Sequence, residues 1–150
     1  MVILTQKETE LLNDLKAHEN LCIEKYQKYA NNACDAALKT FFTQIAAIEQ
    51  QHLNSLNQIA SGTLPSVGAS AMEITQPASI YGIAKTQNKE NDCYLCTDAL
   101  DSEKYVSSIY NTCIFEFKDV GIRSVLNHIQ KEEQEHGEKI YNYMSQNSMY

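Results

Sequence analysis

Apolar side chains recur in steps of three and four along four stretches of the chain, the spacing of one face of a helix. The first stretch carries Leu12, Leu15, Cys22, Tyr26 and Tyr29, and the second Phe42, Ile45, Leu56 and Ile59. The third carries Cys96, Ala99, Val106, Tyr110 and Cys113, and the fourth Leu126, Ile129, Ile140 and Tyr143. Boundary signals agree with this division. Thr5-Gln6-Lys7-Glu8 reads as a capping box, so the first helix is predicted to start near residue 6. Asp35 and Asp119 suit the N-cap positions of the second and fourth helices, after turns at Asn31–Asp35 and Lys118–Asp119. Ser61-Gly62 ends the second helix. The third helix is expected to begin near Asn91–Cys93 and end near Phe117, and the tail Ser145–Tyr150 is expected to fray.

Between the second and third stretches the texture changes. Both prolines, Pro65 and Pro77, and three of the five glycines, Gly62, Gly68 and Gly82, fall within residues 62–92. A connection of this length inside a compact domain needs a reason. A four-helix bundle whose middle connection runs the full bundle length supplies one: that length is on the order of 40 Å for helices of about 25 residues. A segment of about thirty residues, at up to ~3.3 Å each, spans it with room for a short helical piece. The predicted architecture is all-α, a single domain over residues 1–150. A first antiparallel hairpin (5–61) is joined by a long crossover (62–92) to a second (93–146).

Six polar residues interrupt the apolar stripes. Glu-x-x-His occurs twice, as Glu49–His52 and Glu133–His136, and a further Glu lies thirty residues upstream of each, at Glu19 and Glu103. The halves match at a constant offset of 84 positions: Glu19, Tyr26, Asp35, Glu49 and His52 return as Glu103, Tyr110, Asp119, Glu133 and His136. In an antiparallel hairpin, each lone Glu then sits level with the Glu-x-x-His across its own turn. Four carboxylates converging in a dry core repel one another and lose their hydration. Two divalent cations remove the conflict, since four Glu⁻ and two neutral His balance two M²⁺. Glu and His at i, i+3 share a helix face, so one metal takes His52 and the other His136, with some Glu bridging. This is the ligand set of carboxylate-bridged dimetal bundles of the ferritin-like type. Oxygen-rich ligation with one imidazole per metal suits Fe or Mn better than Zn, so the predicted cofactors are two Fe or Mn ions. Tyr26 and Tyr110 lie two turns beyond Glu19 and Glu103. They read either as phenols reaching back to donate to the ligands or as plain core tyrosines.

The net charge of −7 argues against nucleic acid and anionic membrane surfaces as partners. No apolar run approaches a membrane span, and Met1–Leu4 is too short for a signal-peptide core, so cytoplasmic synthesis is expected. Five cysteines, an odd number, argue against a disulfide framework. Cys93-x-x-Cys96, placed at the start of the third helix, reads either as a redox or cross-linking pair, since a helix N-terminus lowers a thiol pKa, or as core in the case of Cys96. Cys22 and Cys113 read as small buried hydrophobes. His18 and His128 fall off the stripes and read as solvated. Lys131–Glu135 reads as an exposed face apart from Glu133.

The sequence also resembles the spore coat F family of ferritin-like proteins from spore-forming bacteria. The resemblance rests on Leu100–Tyr105 (LDSEKY), Tyr110-Asn111-Thr112, Gly121-Ile122-Arg123, Glu132–His136 (EEQEH) and Tyr141–Met144 (YNYM), with a closing Tyr150. Glu19–Tyr26 (ENLCIEKY) and Glu49–Leu53 (EQQHL) extend it into the first half. The ligand spacing is similar to that of rubrerythrin-type domains. Three features depart from these families. The coat family tends to finish in Gly-Trp-Tyr, where this chain has Ser148-Met149-Tyr150. Rubrerythrins carry a Cys-rich iron domain, absent here, and an extra Glu where this chain has Val106. The resemblance implies a sporulation-associated protein deposited in the spore coat, with a homodimer or coat assembly as its partner state. The ligand set implies, as the alternative, an oxidase, peroxidase or catalase acting on O₂ or peroxide.

Overall fold

The capping box forms as read. Thr5 Oγ1 accepts from Glu8 N at 3.1 Å, and Glu8 Oε2 accepts from Thr5 N at 2.8 Å, opening helix α1 (Gln6–Asn32). Asp35 caps α2 (Ala36–Ala60) by accepting from Ala37 N at 2.9 Å, and Asp119 caps α4 (Val120–Gln146) by accepting from Ile122 N at 2.9 Å. Helix α3 (Gln87–Glu116) starts earlier than expected, because Thr86 supplies a cap by accepting from Lys89 N at 3.2 Å. Gly62 sits at φ +86°, the left-handed conformation that closes a helix C-terminus at little cost only for glycine. The computed structural model describes residues 1–67 and 72–150. Gly68 lies outside them. The described part of the connection between α2 and α3 contains no helix.

The fold is all-α. α1 packs on α2 and on α3, and α4 packs on α3 and on α2, as in a four-cornered bundle. Every apolar stripe residue named from the sequence is buried. They form two separate cores. One gathers Tyr26, Tyr29, Phe41, Phe42, Ile45, Leu95, Cys96, Ile140 and Tyr143. The other gathers Leu12, Leu15, Leu56, Ile59, Val106, Tyr110, Phe117, Leu126 and Ile129. Each large side chain withdrawn from water contributes roughly 1.5–3 kcal/mol. Between these two apolar plugs lies a polar layer made of the six interrupting residues.

The crossover is strapped to the bundle by polar contacts. Thr75 N donates to Gln44 Oε1 on α2 at 2.9 Å, and Gln76 Nε2 donates to the Lys139 carbonyl on α4 at 3.0 Å. Asn147 Oδ1 accepts from Ile80 N and Tyr81 N at 3.0 and 2.9 Å. These last bonds overturn the expectation of a frayed tail. Asn147 is fully buried, and Met149 N donates back to the Met144 carbonyl at 2.8 Å, so the C-terminus is pinned under the crossover. Among the described residues, no helix is long and apolar enough to cross a membrane.

Candidate metal centre

The polar layer draws one or two residues from each helix: Glu19 from α1, Glu49 and His52 from α2, Glu103 from α3, Glu133 and His136 from α4. All six are at most 3% exposed. Potential ligand atoms form two overlapping groups, each with its atoms within 4.8 Å of one another: Glu19, Glu49, His52 and Glu133; and Glu49, Glu103, Glu133 and His136. Glu49 and Glu133 belong to both groups. Glu19 and Glu103 each belong to one. The geometry thus separates two central carboxylates from two terminal ones, a division the spacing alone did not reveal.

The helices are registered so that both histidines turn Nδ1 inward. His52 Nδ1 lies 3.0 Å from Glu133, 3.2 Å from Glu49 and 3.8 Å from Glu19. His136 Nδ1 lies 3.2 Å from Glu49, 3.4 Å from Glu103 and 3.6 Å from Glu133. These groups are close but incompletely paired. Glu19 Oε2, Glu49 Oε1, Glu103 Oε2, Glu133 Oε2 and both ring nitrogens of His136 are buried without a hydrogen-bond partner. Among the described residues, every orphaned buried side-chain atom belongs to this layer. Orphans of this kind are rare and costly in a folded protein. Here they face one another in two clusters of carboxylate oxygen and imidazole nitrogen, a donor set that fits Fe²⁺ or Mn²⁺.

Electrostatics point the same way. Burial pushes the Glu19 carboxyl well up, helped by the charges of Glu49 and Glu133. Burial and Glu133 push Glu103 up to about 8. Burial opposes charge on both histidines, yet the surrounding carboxylates outweigh it and raise both well above the usual imidazole range. Burial also raises Glu49, but its close neighbours Glu19, His136 and His52 outweigh it and hold its carboxyl low. Without a cation the layer therefore keeps protons where positive charge is needed.

Both tyrosines reach the cluster, by a route other than the one expected. Tyr110 Oη donates to Glu19 Oε1 at 2.5 Å, and Tyr26 Oη donates to Glu103 Oε1. Each phenol crosses to the other hairpin instead of reaching back along its own helix, because α1 and α3 run antiparallel and bring Tyr26 level with Glu103. Glu132 and His128 are also corrected. Glu132 is not on an exposed face: its side chain is 15% exposed and its Oε1 lies 3.1 Å from His52 Nε2 and 3.0 Å from His128 Nε2. No stripe marks Glu132. Only the register of α2 against α4 reveals it.

Cys93 and Cys96 do not meet the condition that would activate them. With α3 starting at Gln87 they sit in its second and third turns, away from the helix N-terminus. Cys96 is fully buried in the apolar core, and burial pushes its thiol far up. Cys93 is half-buried with its Sγ 3.8 Å from the Met149 carbonyl, and all five cysteines are free thiols.

Residues 91–150 match the Coat F domain. No curated protein matches the chain. Among solved structures, one similar chain is a two-domain protein from Anabaena variabilis with DJ-1/ThiJ/PfpI-like and ferritin-like domains. The identity is 15% and the TM-score 0.71; the match covers 94% of this chain and 37% of that one. The present chain thus spans little more than a third of the length of that neighbour, and at this identity the likeness speaks for the fold alone. The chain is an all-α four-helix bundle, similar in fold to a protein with a ferritin-like domain, and its residues 91–150 match the Coat F domain.

Proposed function

We propose that this protein is a spore-coat-associated ferritin-fold bundle that binds two Fe²⁺ or Mn²⁺ ions in its core. The supporting observation is the set of orphaned atoms: four carboxylates and two imidazoles converge from four helices, yet one oxygen of each carboxylate and both ring nitrogens of His136 are buried without a partner. Glu49 and Glu133 would bridge the cations, Glu19 and Glu103 would be terminal, and His52 and His136 would each bind one ion through Nδ1. The metals would act as Lewis acids and redox centres. Tyr26 and Tyr110 would hold the terminal carboxylates in place. Assembly into the coat, as copies of this chain or with other coat components, is the role that the Coat F match favours.

Elemental analysis tests the metal reading. Protein purified without chelator is expected to carry Fe or Mn approaching two ions per chain. A preparation that stays metal-free after incubation with Fe²⁺ and with Mn²⁺ sinks it.

A second reading, oxidoreduction of O₂ or peroxide, is favoured by access to the layer. One cavity of about 330 Å³ lies under the crossover and is lined by Met72, Ile74, Glu132 and His136. Another, of about 410 Å³, opens between α3 and α4 onto Glu103 and Glu133. Small oxidants could approach the cluster from either side of α4. Metal-loaded protein that neither consumes peroxide nor oxidises excess Fe²⁺ argues for the assembly role alone.

A further inference from the structure

The two halves of the bundle repeat each other ligand for ligand, but their surroundings differ. His52 Nε2 lies 3.1 Å from Glu132 Oε1. An ionised carboxylate only accepts, so Nε2 carries the proton donated to Glu132, and Nδ1 is left facing Glu49, Glu133 and Glu19. Glu132 is itself held by His128 Nε2 at 3.0 Å. His136 also turns Nδ1 to its carboxylates, yet its Nε2 is buried and unpartnered. The offset of 84 positions accounts for this. The counterpart of Glu132 in the first half is Ile48, which has nothing to accept with. Ile48 is buried and lines the same cavity as His136, beneath Met72 and Ile74.

We propose that Glu132 is a positioning residue for His52 and that it makes the two metal positions unequal, the one at His52 binding its cation more tightly than the one at His136. The inference rests on the dimetal reading above. A carboxylate on the distal ring nitrogen fixes the tautomer, holds the ring plane and raises the basicity of the ligating nitrogen; losing such a partner typically costs 10–100-fold in metal affinity. His136 must settle its tautomer and orientation without that help, at a position bordered by a cavity. The His52 position fills first.

Two cations that share Glu49 and Glu133 bind in two steps even when their positions are alike, because the first repels the second. Variants therefore carry the test. The chelator-treated full chain is titrated with Mn²⁺ in a calorimeter, with thermal melting of each metal-free variant measured alongside. Wild type is expected to take up two ions in two steps. Glu132→Ala should weaken the tighter step by about 10–100-fold and leave the weaker one nearly unchanged. Glu132→Gln keeps an acceptor oxygen and should recover most of that loss, which separates positioning from simple loss of negative charge. Ile48→Glu gives His136 the missing acceptor and should tighten the weaker step. If Glu132→Ala leaves both steps unchanged or weakens them equally, or if the Gln variant binds as poorly as the Ala variant, the inference is wrong while the dimetal reading stands. A wild type that takes up no Mn²⁺ overturns both.

Discussion

Glu49 is the residue on which the proposed centre turns. It is fully buried, belongs to both candidate ligand groups, and lies 3.2 Å from both imidazole Nδ1 atoms. Its cost to the bundle depends on what else is present. With cations bound it would share in neutralising both. Without cations it is a buried carboxyl beside Glu103, held low by its neighbours Glu19, His136 and His52. Glu49→Ala is therefore expected to behave differently in two buffers. In excess Mn²⁺ the variant should bind at most one ion and melt below the parent. In chelator it should also melt below the parent but by less, because there Glu49 offsets only the two imidazoles, which the change leaves with fewer carboxylates, and no cation. A variant that is equally destabilised in both buffers would mean that Glu49 holds the fold together without any metal.

At the level of the elements, one carboxylate ties three segments together. Asp92, fully buried near the start of α3, accepts from Cys34 N at 2.7 Å, Asp35 N at 2.9 Å and Tyr81 Oη at 2.7 Å. It thereby joins the α1–α2 turn, the crossover and α3. Asp35, while capping α2, also accepts from Tyr143 Oη at 2.8 Å, which adds the end of α4 to the same knot. Asp92→Ala should cost about 1–3 kcal/mol for each buried donor left unpaired. Amide hydrogen exchange should then quicken at Cys34, Asp35 and the crossover around Tyr81, while the amides flanking Glu49 and Glu133 stay protected. Exchange that quickens evenly along the chain would show that Asp92 supports the whole bundle and not this corner. Thr86 belongs to the same scale: by capping α3 at Gln87 it adds more than a turn ahead of Cys93, and so removes the pair from the helix N-terminus.

The whole molecule has a pH dependence of definite sign. Glu103 has its pKa raised from 4.5 to about 8, and Glu19, His52 and His136 are raised as well. Groups raised in the folded state bind more protons folded than unfolded. Their contribution to stability is complete below the unfolded values, near 4.5 for Glu and 6.5 for His, and is lost as pH climbs through the folded ones. Glu49, lowered, works the other way, but only below its unfolded value of 4.5. Metal-free protein is therefore expected to lose melting temperature steadily between about pH 5 and pH 9. Cations displace those protons, so Mn²⁺ should raise the melting temperature most at the alkaline end. Scanning calorimetry at pH 5, 7 and 9, with chelator and with Mn²⁺, checks this. A metal-free melting temperature that rises over that range would contradict the charge balance described for the layer.

Periodicity, caps and the 84-residue repeat were enough to read four helices, two turns and six inward polar residues, because each is a local matter of which face a residue occupies. Asp35, Asp119 and the Thr5–Glu8 box needed only their immediate neighbours to act. The same cues named Glu19, Glu49, His52, Glu103, Glu133 and His136, since a Glu on an apolar stripe is conspicuous in one dimension. What depends on the register of one helix against another was out of reach. That includes Tyr26 donating to Glu103 and Tyr110 to Glu19, Glu49 and Glu133 being shared by both ligand groups, and Glu132 seated behind His52 while His136 has Ile48. The tail was misjudged for the same reason, because Asn147 is held by backbone donors some sixty-six positions away. Sequence spacing determines which side of a helix a residue occupies; only packing decides what stands opposite it, because side chains from separate helices meet at distances no single helix encodes.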